Sequence, residues 1–438
     1  MEQLHQVAKI CAKLLESDLS KSEIVSKMIE VCRAAGLSED FARRFLGLLL
    51  EEQERARGVE EKGSGLRLRE FAAKARELQR SGKKVFRLEL GEPDFSAPPS
   101  VVEAAYRALR EGYSKYGPAI GIKELREAIA SKLSERFGVD LGIENIAITA
   151  GGTFATYGSI EALSKPGDEV AVIEPAWPLY VHQARRLGRR VLRIKTSFEE
   201  DWDPVERLQE KVTKLTRIII VNYPNNPTGK ILDRKSFKAI LEIAEDVDAW
   251  VVSDEVYMDF CYGKQHVSVL EFSQPKTLML NSFSKTWGMT GFRVGYVVSE
   301  PEAVNKIAAA QNTAMTCVPE FIQRAAIAAL NDVEAAKKNV ELIGRRLKTL
   351  YEELSKSDLI DIKPPEGAMY IFPRIKLDGF DPWKFAEMLL RDKLVAVAPG
   401  SCFGDYDNYL RISAVLSDED LREACRRIRE ELEVYAGE

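Results

Sequence analysis

Asn281-Ser282-Phe283-Ser284-Lys285-Thr286-Trp287-Gly288-Met289-Thr290-Gly291-Phe292-Arg293-Val294-Gly295 is a polar, glycine-punctuated stretch between two apolar runs, Thr277 to Leu280 and Val294 to Val298. Such runs read as buried strands, so Lys285 falls on a loop joining two core strands. A lysine there is suited to act as an amine nucleophile, which takes carbonyl compounds as Schiff bases. Ser282, three residues earlier, and Arg293, eight later, supply a hydroxyl and a guanidinium, a pair suited to gripping a phosphate.

Strands and helices alternate on both sides of this stretch. The pattern predicts strands at Ile146 to Thr149, Glu169 to Ile173, Arg190 to Ile194, Arg217 to Val221, Trp250 to Asp254, Thr277 to Asn281 and Arg293 to Val298. Near-continuous apolar strands separated by helical patterns mark a mostly parallel sheet covered on both faces. The expected fold is therefore α/β, with a large seven-stranded unit. Past Pro301 the periodicity predicts a long helix to about Leu330, another to Leu354, a short strand Met369 to Phe372 and a last βα unit ending in Leu421 to Tyr435. These read as a smaller α+β domain. A helix from Leu66 to about Arg80, a strand Val85 to Leu90 and a turn Gly91 to Pro98 precede the large unit.

Residues 1 to about 57 read as a helical appendage. Leu4, Val7, Ala8, Cys11, Leu14 and Leu15 share one helical face. Ser20 and Glu23 make a capping box for a second helix carrying Ile24, Met28, Ile29 and Cys32 and ending at Gly36. Ser38 opens a third with Phe41, Phe45, Leu48 and Leu49 inward, and Gly58 to Gly65 reads as a linker. The appendage is slightly acidic, which argues against a DNA-reading head; it reads as a unit docked on the body or on a partner subunit, with a ligand-sensing role as the alternative.

Composition narrows the classes. The 438 residues carry a net charge of −5, which does not mark a nucleic-acid or membrane-surface binder. Six cysteines are scattered without paired spacing and no secretory leader is read, so the expectation is free thiols in a reducing, cytoplasmic compartment with no structural zinc. No apolar run approaches bilayer length. The three histidines, His5, His182 and His266, are far apart and give a metal site or a Ser-His-Asp triad little to build on.

In such sheets ligands bind beyond the carboxyl ends of the strands, and distinctive residues cluster there. Gly151-Gly152-Thr153 follows a strand and opens a helix, where close backbone approach and free amides suit a phosphate. Asp254 ends its strand and could hold a pyridine nitrogen protonated, with Tyr257 just beyond it. Asn226, in Asn225-Asn226-Pro227-Thr228-Gly229, and Trp177, in Glu174-Pro175-Ala176-Trp177, lie past two other strands. Arg411 points from a strand of the small domain and suits an α-carboxylate. Taken singly these residues also read as an N-cap, a turn, a core aromatic and a surface ion pair.

Together the motifs give the chain a likeness to a known family. Gly91-Glu92-Pro93-Asp94-Phe95, Tyr116-Gly117-Pro118 with Gly121 and Leu125-Arg126, Asn225 to Gly229, Asp254-Glu255-Val256-Tyr257, Ser282 to Lys285 with Arg293, and Pro399-Gly400 with Phe403-Gly404 and Arg411 come in one order. Over residues 66 to 435 the chain resembles the class I/II aminotransferases, fold-type-I enzymes that use pyridoxal 5'-phosphate. The resemblance implies a large cofactor-binding domain over 116 to 305, and a small domain from 66 to 115 with 306 to 438. It implies Lys285 as the Schiff-base lysine and the base that moves a proton between the substrate's Cα and the cofactor. Asp254 would pair with the pyridine nitrogen, and Asn226 and Tyr257 would contact the phenolic oxygen. Gly152, Thr153, Ser282 and Arg293 would hold the phosphate, and Trp177 would stack on the ring. Tyr116 would reach the phosphate of a neighbouring subunit, implying a homodimer with shared sites. Arg411 would bind the substrate carboxylate, helped by the Gly91 backbone amide.

The function implied is ping-pong transfer of an α-amino group from an amino acid to a 2-oxo acid. The same electron sink serves β-elimination, decarboxylation or ring closure, so a lyase or cyclising enzyme of the same fold stands as the alternative. A regulator with an aminotransferase-like sensor is a third reading, against which the acidic appendage argues. Many aspartate-using relatives carry lysine after Gly-Gly, where this chain has Thr153, which weakens an aspartate assignment.

Overall fold

The computed structural model describes residues 7, 9–11, 13, 14, 21–38, 41–47, 49 and 64–437. A two-residue strand, β1 (Phe86–Arg87), precedes seven others: β2 (Ile146–Thr149), β3 (Glu169–Glu174), β4 (Arg190–Lys195), β5 (Thr216–Asn222), β6 (Trp250–Asp254), β7 (Thr277–Ser282) and β8 (Gly295–Val298). These seven form one sheet in the order β2-β8-β7-β6-β5-β3-β4. β8 runs antiparallel to both neighbours and every other pairing is parallel.

Both faces of this sheet are buried. Ile146, Ile148, Ala171, Ile173, Ile219, Val221 and Met279 pack into one apolar cluster, while Ala147, Val170, Val172, Ile218, Ile220, Leu278 and Leu280 pack into the other. Successive strand residues alternate between two helical layers, which is why the strands are apolar throughout. A third core gathers around short strands late in the chain: β9 (Ile360–Asp361), β10 (Tyr370–Ile371), β11 (Arg374–Ile375), β12 (Val395–Ala396), β13 (Ala398–Pro399) and β14 (Leu410–Ser413). β1 joins it by parallel pairing with β12. The α/β class, the seven strands and the second α+β unit are as expected.

Three elements differ. The expected strand from Arg293 starts only at Gly295, because Arg293 is left-handed with φ 54° after a turn at Thr290–Phe292. The expected long helix past Pro301 is two, Pro301–Met315 and Glu320–Asn331. Thr316 has φ 69°, and Pro319 lacks the amide a continuous helix would need. The expected strand Val85 to Leu90 pairs only over β1.

Of the linker, residues 58–63 lie outside the described residues, and Ser64 and Gly65 open the helix Ser64–Arg80. Leu4, Ala8, Leu15, Ser20 and Leu48 likewise lie outside the described residues. Val7, Cys11, Val25, Met28, Ile29, Cys32, Ala42 and Leu46 bury themselves together with Leu215 of the body, with Phe45 and Leu49 packed against them, whereas Phe41, expected inward, is exposed because Ala42 and Leu46 take the inner face of that helix. Gly47 passes so close to the body that a Cβ there would stand 2.8 Å from the Gly167 carbonyl and 3.2 Å from Arg190 Cδ. Gly167, Arg190 and Leu215 lie at or beside the starts of β3, β4 and β5. The appendage therefore docks at the sheet end opposite the carboxyl termini of these strands.

Candidate active site

A cavity of about 320 Å³ opens where β2, β5, β6 and β7 end, against the short-strand core. It is lined by eleven of the twelve residues singled out from sequence: Gly91, Gly152, Thr153, Trp177, Asn226, Asp254, Tyr257, Ser282, Lys285, Arg293 and Arg411. Tyr116 is the exception. Its side chain is 87% exposed on this chain, beside a loop where the Gly117 amide donates to Cys317 Sγ.

One end of the cavity is cationic. The helix Gly151–Leu163 starts there with no side-chain cap, so its first amides face the pocket end unclaimed by a capping group. Arg293 Nη1 donates to the Thr290 carbonyl at 2.8 Å, and Nη2 reaches Thr153 Oγ1 at 3.5 Å. A Cβ on Gly151, itself at φ 72°, would stand 2.7 Å from Arg293 Nη2, so glycine is needed for the guanidinium to reach this place. Ser282 Oγ bonds Ser284 Oγ at 2.7 Å and completes the cradle.

At the opposite end Asp254 is buried at the tip of β6. Tyr180 Oη donates to its Oδ2 at 2.6 Å, and the Val256 amide donates to Oδ1 at 3.1 Å. Burial pushes its carboxyl up to about 6, against the pull of the Tyr180 hydrogen bond. Asn222, at the end of β5, donates to the Asp254 carbonyl at 2.9 Å and accepts the Asn226 amide at 3.1 Å, tying two strand ends together. The Tyr257 and Tyr370 hydroxyls are 2.7 Å apart, and burial holds the Tyr257 phenol well above its ordinary range. Trp177 meets Tyr180 edge to face, with ring centroids 5.4 Å apart.

Lys285 lies between the two ends and donates through Nζ to the Gly91 carbonyl. Gly91 sits so tightly on Tyr370 that a Cβ would stand 2.1 Å from its hydroxyl. Arg411 donates to Asn226 Oδ1 at 3.3 Å and to the Glu89 carbonyl at 2.5 Å, and its guanidinium lies over the rings of Tyr370 and Phe403. Arg411 Nε is buried with no hydrogen-bond partner, a donor at hand for an incoming anion.

Tyr180, Tyr370, Asn222 and Ser284 belong to this site and escaped the sequence reading. Tyr180 lies one helical turn past Trp177, and Ser284 is inside the motif already singled out. Tyr370 comes from the other core, 113 residues from the tyrosine it bonds, and no local spacing reports that. The set suits a flat, phosphate-bearing carbonyl compound, with cations and free amides at one end, an amine in the middle and a buried acid at the other. Among the described residues no group of three or more His, Cys, Asp or Glu side chains could hold a metal, and no helix is long and apolar enough to cross a membrane.

Comparisons with known proteins agree with this geometry. The family model for aminotransferases of class I and II matches residues 83–428. An aspartate aminotransferase of Pyrococcus horikoshii is 40% identical over 371 residues, covering 82% of this chain and 95% of that protein. An aromatic-amino-acid aminotransferase of Thermococcus litoralis is 36% identical, covering 80% and 92%. The crystal structure of an aspartate aminotransferase from Thermotoga maritima superposes with a TM-score of 0.80 at 34% identity, covering 86% of this chain and 99% of the other.

Proposed function

Because this chain belongs to the class I and II aminotransferases, we propose that its cavity holds pyridoxal 5'-phosphate and that the residues lining it carry the transfer of an α-amino group to a 2-oxo acid. The observation that carries this reading is Lys285 poised between the Arg293 cradle and buried Asp254 in one cavity. Relatives named as aminotransferases over most of both chains favour transfer over the lyase alternative.

When bound, the cofactor supplies an aldehyde and a ring that accepts electrons from the substrate's Cα. Arg293, Ser282, Thr153 and the helix amides at Gly152 hold the phosphate. Asp254 keeps a proton on the ring nitrogen, and Tyr180 and the Val256 amide keep Asp254 aimed. Tyr257 and Asn226 would donate to the cofactor's phenolic oxygen, and Trp177 offers an aromatic face for its ring. Lys285 would be the amine that holds the aldehyde and, once freed by the incoming amino group, the base at hand to move the substrate's Cα proton. Arg411 orients the substrate by its α-carboxylate, which places the Cα proton within reach of Lys285.

The deciding experiment is the half-reaction. One amino acid at a time is added to the cofactor-loaded protein while the cofactor's visible absorbance and the 2-oxo acid formed are followed, with aspartate and the aromatic amino acids first. Loss of the band with stoichiometric 2-oxo acid and no free ammonia is expected, and ammonia release would instead show a lyase. Arg411→Ala is expected to raise KM for every amino acid by the equivalent of about 2 kcal/mol, because a carboxylate is left without its charged partner. An unchanged KM would remove Arg411 from substrate binding.

We assign a homodimer as the working assembly. Tyr116 reaches out of its own chain, and Val102, Tyr106, Leu109 and Met315 add large exposed apolar side chains. Light scattering is expected to give twice the chain mass of 49.2 kDa. A monomer with full activity would refute the assignment.

A further inference from the structure

Glu89 is wholly buried, and both Nε and Nη2 of Arg87 donate to its Oε1, at 2.9 and 2.6 Å. Its Oε2 has no hydrogen-bond partner, so the carboxylate is turned to Arg87 and left open on its other side. The Glu89 backbone carbonyl accepts Arg411 Nη2, which brings the two residues together. Arg411 is 4% exposed, and it donates to two neutral oxygens, one on Asn226 and one on the Glu89 backbone. A buried cation without a bonded counter-charge is costly, yet a carboxylate bonded to this fork would block the substrate.

We infer that Glu89 is a positioning residue that gives Arg411 its counter-charge from a distance, keeping the guanidinium buried and its fork free for the substrate carboxylate. The inference rests on the assignment of Arg411 to that carboxylate. Coulomb attraction falls only inversely with distance, so a near but unbonded carboxylate steadies the empty site. The same charge repels the incoming carboxylate, and Arg87 sets how much of it is felt. Burial holds the Glu89 carboxyl above its ordinary range, opposed chiefly by Arg87 and least by Arg411.

The two sides of this ion pair should act with opposite signs. At alkaline pH, where the carboxyl is ionised, Glu89→Gln is expected to lower KM for amino acid and 2-oxo acid by about threefold or more. Arg87→Gln is expected to raise both by a similar factor, with kcat little changed in each case because substrate and transition state keep the same carboxylate contact. Arg87→Lys, which keeps the charge, should stay near the parent. A merely structural role would raise KM in both neutral variants, and that result, or no change in either, overturns the inference. Should Glu89→Gln fail to fold, the pH dependence of Arg87→Gln decides: its KM must exceed the parent's at alkaline pH and approach it as pH falls and the Glu89 carboxyl takes up a proton, whereas a structural defect would raise KM equally across that range. If Arg411→Ala leaves KM unmoved, the premise has failed and not the counter-charge.

Discussion

Lys285→Ala is expected to cut turnover by about 10⁴-fold or more while leaving the folded protein and its affinity for phosphate esters in place. Among the described residues, Lys285 is the one amine lining the cavity, so no neighbouring amine could take over the role proposed for it. Arg293, Ser282 and the helix amides do not depend on it for their geometry. The measurement is a single-turnover assay on protein loaded with cofactor, together with near-ultraviolet dichroism to show that the ligand is seated. Transfer at more than about a hundredth of the parent rate would remove Lys285 from the chemistry.

Asp254→Asn is expected to cost about 10²- to 10³-fold in kcat, the range found when one preorganised electrostatic group is lost from an active site. Asparagine fills the same space and can still meet Tyr180, so the loss isolates the charge. The substitution also has a signature in the cofactor-free protein. Burial raises the Asp254 carboxyl from 3.8 to about 6, so the folded state binds this proton more tightly than the unfolded chain does. Its contribution to stability is full below about 4 and falls as pH rises through 6. Urea unfolding of the cofactor-free protein across that window should lose this part of its pH dependence in Asp254→Asn. An unaltered slope would mean that the carboxylate is not desolvated.

Much of this was legible in the chain. The strand at Trp250–Asp254 has the bounds read from sequence, an apolar start followed by Ser253 and Asp254, because a strand buried on both faces leaves its polar residues to its ends. That rule also exposes Asn222, Asp254 and Ser282 as residues at strand tips. Arg293 was harder, since its left-handed backbone follows from the need to fold back onto Gly151, a contact with no local trace. Tyr180 and Tyr370 act on partners 74 and 113 residues away and come into view only when the elements pack. The break between Met315 and Glu320 could have been read from Pro319, whose ring favours an extended residue before it.

The appendage meets the body at the strand starts near Gly167, Arg190 and Leu215, at the opposite end of these strands from the cavity. Anything attached there, such as a dye, a resin linker or a fused carrier, would hold the molecule by its back with its mouth facing solution. The chain thus comes with a handle placed away from the cavity.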